Sequence, residues 1–151
     1  MAAAQFSPQP PKTNNDSQYP DISSQLAHWP VQLKLVSPAA PYFKNAHLLL
    51  TADCVPFAMP DFHTKLLTGC ALAVGCPKLD DTQYYIEKLT EIINTADLNS
   101  LTVVHMEVPC CSALTNIAKN AIKNAHTNIP FKDITISTRG RIIRTDDIQT
   151  Q

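Results

Sequence analysis

The chain has 151 residues, 44% of them hydrophobic and 17% charged, with Lys+Arg 12 against Asp+Glu 13 for a net charge of -1. That length suits one domain with its own core, and the near-neutral balance leaves no electrostatic footprint for nucleic acid or acidic lipid. No run approaches the roughly 20 apolar residues that span a bilayer, so no membrane partner is expected.

The first element in chain order is an expected absence of structure. Residues 1–24 are rich in Pro, Gln, Asn and Ser, with Pro8, Pro10, Pro11 and Pro20 and no apolar period. Such a stretch buries too little surface to offset its ordering entropy, and it reads as a disordered arm. It carries no basic region followed by an apolar run, the mark of a secretory signal. Five cysteines, an odd number, then read as reduced thiols, which gives a cytoplasmic expectation. The folded domain is expected over 25–151.

From there strand and helix signals alternate. VQLKLV (31–36) alternates apolar and polar residues like a half-buried strand. HLLLTA (47–52) is a continuous apolar run of the kind found in parallel sheets. PDFHTKLLT (60–68) reads as a short helix with Phe62 and Leu66 on one side, and ALAV (71–74) as another buried strand. In DDTQYYIEKLTEIINTAD the residues Tyr85, Leu89, Ile92, Ile93 and Ala96 make one helical stripe, with Asp80 and Gln83 spaced as a capping box. LTVVHMEV (101–108) is a long strand. Ser112 is an N-cap candidate for a second helix whose inner face carries Leu114, Ile117, Ala118, Ala121, Ile122 and Ala125. DITIST and RIIRT flank Arg139-Gly140 as a closing hairpin. The alternation predicts an α/β fold: a mostly parallel sheet of about five strands flanked by helices in three layers. With only Gly69, Gly75 and Gly140 there is no glycine-rich phosphate loop, and no GxSxG elbow either.

The cysteines carry the functional signal. Cys54 follows HLLLTAD, Cys76 follows ALAVG, and Cys110 and Cys111 follow LTVVHMEVP. Each lies just past a strand's C-terminal end, and in a parallel sheet those ends share the edge where open α/β folds bind ligands. Cys70 begins the strand that Cys76 ends, roughly 20 Å away, and reads as packing. Four thiols converging from distant segments predict a metal or cofactor site made of Cys54, Cys76, Cys110 and Cys111, for an iron–sulfur cluster or, alternatively, a zinc ion. His105 and His63 are the histidines that a zinc site would recruit. The plainer reading of any one of these cysteines is a small buried hydrophobe, and that of His105 is a hydrogen-bonded core residue. A metal-free thiol acting as nucleophile or redox sensor is a further alternative, and an interaction module another.

The segments ADC (52–54), GCPKLDD (75–81) and HMEVPCC (105–111) resemble the C-terminal domain of bacterial and archaeal iron–sulfur cluster-binding oxidoreductases of the 4Fe-4S ferredoxin type. The resemblance runs from about Trp29 to Ile143. Those proteins carry an N-terminal ferredoxin module with a CxxCxxCxxxCP run, whereas here no cysteine precedes Cys54. The resemblance implies an electron-transfer role, a redox partner protein, and the same four cysteines as the site.

Overall fold

The computed structural model describes residues 3–8 and 22–150. A short antiparallel ribbon of β1 (Ala4–Gln5) and β2 (His28–Trp29) precedes the main layers. Next come β3 (His47–Ala52), the single turn α1 (Val55–Ala58), a π-helical turn (His63–Leu67), β4 (Ala71–Gly75) and α2 (Thr82–Ala96). The chain continues through β5 (Ser100–Met106), α3 (Pro109–Asn124), β6 (Phe131–Ile136) and β7 (Ile142–Ile148). The sheet order is β4-β3-β5-β6-β7. The first four of these strands run parallel to their neighbours, and β7 returns antiparallel to β6. The expected α/β fold with a mostly parallel, helix-flanked sheet of five strands and a C-terminal hairpin is therefore the observed one.

The topology follows from which strands are apolar throughout. β3 lies between β4 and β5, and Leu48, Leu49, Leu50, Thr51 and Ala52 are all buried. A strand covered on both faces needs such a continuous run. In register, Leu50 stands opposite Ala73 of β4 and Val103 of β5. β7 closes the far edge with Arg144, Asp146 and Asp147, charges that keep an exposed edge from pairing with another chain. α2 buries the expected stripe of Tyr85, Leu89, Ile92, Ile93 and Ala96 and packs on α3, which buries Leu114, Ile117, Ala118, Ala121 and Ile122. Each buried Leu or Ile among them contributes roughly 1.5–3 kcal/mol when removed from water.

The chain steps outward from β3 to β4, then crosses back over β3 to β5 and on to β6. Because parallel crossovers are right-handed, this reversal puts α1 and the π-helical turn on one face of the sheet and α2 and α3 on the other. At their C-terminal ends β3 and β5 therefore send the chain to opposite faces, the arrangement that marks the ligand crevice of open α/β sheets.

Several local expectations change. Residues 31–36 form no strand: Gln32 makes a lone parallel bridge to Val74, and the Leu35 and Val36 amides both bond back to the Gln32 carbonyl. The chain turns there, so Leu33 and Val36 are buried and Leu35 is exposed. What the segment does is cover the outer edge of β4. Leu33 N donates to Val74 O, Val74 N to Val31 O, and Leu72 N to His28 Nε2 at 2.9 Å. His28 thus satisfies the sheet's side edge, and its ring stacks on Tyr42 at 3.8 Å. The helix expected over 60–68 is a π-helical turn that buries Phe62 and Leu67 instead of Leu66. Within the arm expected to lack structure, Ala4–Gln5 pairs with His28–Trp29; residues 9–21 lie outside the described residues. No helix among the described residues is long and apolar enough to cross a membrane.

Candidate functional site

Pairing of β3 with β4 extends one residue past the strand, through Asp53 N to Gly75 O at 3.1 Å. Cys54 then stands at the N-cap of α1 with an exposed thiol. Pro56 follows inside the first turn of α1, where a missing amide costs nothing. On the neighbouring strand, Gly75 lets the Tyr85 ring lie against the backbone, since a Cβ there would collide with the Tyr85 hydroxyl. That hydroxyl donates to Asp80 Oδ2 at 2.5 Å and accepts from Cys76 N at 3.1 Å. Burial first, and then the Asp80 carboxylate, push the Tyr85 hydroxyl well above its ordinary pKa.

At the end of β5, Glu107 N bonds to Ile136 O, and Glu107 Oε1 accepts from Thr138 N at 3.0 Å and Thr138 Oγ1 at 3.1 Å. Glu107 is thus tied to the β6–β7 turn. α3 begins at Pro109 with Val108 as its N-cap, four residues earlier than a Ser112 cap requires. The proline that stops β5 also suits the first position of a helix, where its fixed φ is helical. Ser112 donates its hydroxyl to Pro109 O at 2.8 Å instead of capping.

Cys110 and Cys111 therefore lie in the first turn of α3, where consecutive residues point about 100° apart. Cys110 is exposed and Cys111 is 5% exposed. Burial pushes the Cys111 thiol up to about 11; a Met106 backbone hydrogen bond opposes the shift, and negative charge on Cys110 and Cys54 adds to it. Cys54, Cys110 and Cys111 share one edge, just past the C-terminal ends of the neighbouring strands β3 and β5. Cys76 keeps separate partners, Tyr85 and its own turn, and Cys70 is half-buried at the start of β4 with its thiol raised by burial. The donor chemistry suits a thiophilic metal, but among the described residues no three His, Cys, Asp or Glu side chains stand together in a way that could hold one.

Neither histidine joins the thiols. His105 is buried, with Nδ1 toward Met106 O at 2.9 Å and Nε2 toward Asp133 Oδ2 at 3.1 Å. Both ring nitrogens face acceptors, which favours the protonated ring, and the Asp133 hydrogen bond is the main reason its pKa is raised. Asp133 accepts in turn from Thr115 Oγ1 at 2.6 Å. His63 accepts the Gln25 amide on Nδ1 at 3.0 Å and lines a cleft with Asp53, Gln32 and Phe57. Sequence reasoning missed Asp133, Thr115 and Gln32, whose partners are set by pairing between distant segments and leave no local signal.

A family model described as a Rossmann-like domain matches residues 40–151. The chain belongs to that family. An uncharacterized protein of Archaeoglobus fulgidus is 36% identical over 90 residues, covering 60% of this Rossmann-like chain and 63% of that relative, so the match spans less than two thirds of the relative's length. No solved structure gives a significant match. The Rossmann-like assignment overturns the resemblance to 4Fe-4S ferredoxin-type oxidoreductases, because the matching family is described by fold and the archaeal relative carries no iron–sulfur label. The segments that suggested it have structural work of their own in the Rossmann-like frame. GCPKLDD supplies the Gly75 that admits Tyr85 and the Asp81 that caps α2, and HMEVPCC supplies His105 to the buried ion pair and Pro109 to the start of α3.

Proposed function

We propose that the protein binds a thiophilic metal centre at the C-terminal edge of its sheet, an iron–sulfur cluster or, as the alternative, zinc, in a cytoplasmic redox role served by a partner protein. The observation that carries this reading is the placement of Cys54, Cys110 and Cys111 just past the C-terminal ends of the neighbouring strands β3 and β5, the edge where open α/β folds bind their ligands. Soft thiolate donors favour iron–sulfur clusters and zinc over magnesium and calcium. Cys54 and Cys110 are exposed free thiols. Cys111 contributes after its side chain turns away from the Met106 backbone and loses its proton, and Cys76 is the fourth thiol within the same edge. Five free cysteines among the described residues fit a reducing compartment.

The test is anaerobic purification without chelator, followed by iron, zinc and acid-labile sulfide per chain and a visible spectrum. Stoichiometric iron with matching sulfide is the expected result, abolished by Cys54→Ser or Cys110→Ser and kept by Cys70→Ser. Zinc alone selects the alternative. Substoichiometric iron and zinc after anaerobic reconstitution reject both.

A second reading, a metal-free redox thiol, is favoured by the lack of an assembled ligand group among the described residues. Cys110, exposed and beside Cys111, is then the reacting thiol. Reversible modification of Cys110 by mild oxidant in metal-free protein is its expected signature, and an inert Cys110 excludes it.

A further inference from the structure

We propose that the cleft between α1, the π-helical turn and the β4 edge is a binding site for a small aromatic cation, whose charged amino or amidino group the Asp53 carboxylate receives. The cleft has a volume of about 440 Å³, within the range that encloses small organic ligands. Its walls are apolar, with Leu26, Phe62, Leu67 and Val74 among them, and Asp53 is the sole charged side chain in the lining.

Asp53 is under-used by the protein. Its Oδ1 accepts one long hydrogen bond, from Gln32 Nε2 at 3.4 Å, and its Oδ2 accepts none from the described residues. No Lys or Arg pairs with it among the described residues. A carboxylate without a counter-ion against apolar walls gains from a cation whose N–H groups satisfy both oxygens. His63 adds a defined donor. Because Nδ1 accepts the Gln25 amide, Nε2 is the nitrogen left to offer an N–H. Phe57, 93% exposed on α1 and itself part of the lining, is unexplained by folding and stands ready to cover an aromatic ring. Asp53 also follows β3 directly, beside the crevice where the crossovers diverge. This site stands independently of any metal, since none of the cysteines lines it.

The probe is benzamidine, titrated into the full-length chain in metal-free buffer and followed by two-dimensional amide NMR, with neutral benzamide and anionic benzoate as isosteres. Saturable shifts centred on Asp53, Phe57 and His63 are expected, with benzamide and benzoate each at least about tenfold weaker. Asp53→Asn should weaken benzamidine by about tenfold or more while leaving benzamide unchanged. Should that variant fold poorly, Phe57→Ala, a change at an exposed position, should still weaken benzamidine several-fold with its dispersed spectrum intact. Equal binding of all three probes, shifts that never saturate or that lie elsewhere, or indifference to both substitutions would overturn the proposal.

Discussion

His105 and Asp133 form a buried pair whose pKa values shift in opposite directions, the imidazole up and the carboxyl down. The His105 pKa is raised above 6.5, so its contribution to stability is complete below that value and fades as pH climbs through the raised folded value. For Asp133 burial works upward, but the hydrogen bonds from His105 and Thr115 outweigh it and hold the carboxyl below 3.8. Its contribution is complete above 3.8 and is lost as pH falls through the depressed value. The pair is therefore worth most between those limits. Asp133→Ala should cost about 3 kcal/mol at about pH 5 and clearly less near pH 9, read from urea unfolding at each pH. An equal loss at both would show that the pair is not ionic. Cys111 makes a second prediction at this scale. With its pKa near 11 the thiol stays protonated at neutral pH. Iodoacetamide should label Cys54 and Cys110 well before Cys111, and urea should erase the difference. Early labelling of Cys111 in the folded chain would contradict its placement.

Between residue and fold lie the helix ends, where adjacent side chains of the same type have different tasks. Asp81 caps α2 by accepting from Gln83 N at 2.8 Å and Tyr84 N at 3.2 Å. Asp80 instead takes the Tyr85 hydroxyl and a Lys34 ammonium at 3.5 Å. Asp81→Ala should lower stability by about 1 kcal/mol, the usual worth of an N-cap, with α2 amides at its first turn exchanging faster. If Asp80→Ala produced that same local exchange and Asp81→Ala did not, the cap would be misassigned. The sequence pointed to Asp80, one residue away, because two consecutive aspartates satisfy the same local pattern and only the fold brings a tyrosine hydroxyl to one of them. The interior of α2 was legible because its stripe repeats at the helical period within a single segment. β3 and β4 were legible because double-sided burial demands a nearly unbroken apolar run. The segment 31–36 was not, since its Val, Leu and Leu alternate like a strand while Pro30 and Pro38 leave room for a single bridge and a turn. At the site, strand ends alone placed the cysteines on the correct edge. The start of α3, which turns Cys110 outward and Cys111 inward, was hidden because a proline both stops strands and starts helices.

Across the whole molecule, the C-terminal hairpin does more than close the sheet. Its turn reaches past the end of β5, where Glu107 holds Thr138, and seats Gly140 against the carbonyl of Ala58 at the end of α1. The last connection in the chain thereby braces the first one, on the side of the crevice that carries Cys54. Two glycines with similar backbone angles separate this contact from simple strain. Gly140 has φ +80 and a Cβ there would strike Ala58 O, whereas Gly69 has φ +76 with nothing within 4 Å. Both become alanines at the cost of a left-handed conformation, about 1 kcal/mol each. Only Gly140→Ala must also push the hairpin off α1. It should therefore destabilise the chain clearly more than Gly69→Ala in denaturant unfolding. It should also speed hydrogen exchange at the Ala58 and Met59 amides, which bond to Cys54 O and Val55 O at 3.1 and 2.9 Å. Gly69→Ala, although it lies nearer in sequence to α1, should leave those two amides as they are. If the two variants lose equal stability and α1 exchanges unchanged in both, the hairpin does not brace the thiol edge, and the position of Cys54 is set by β3 and its own turn alone.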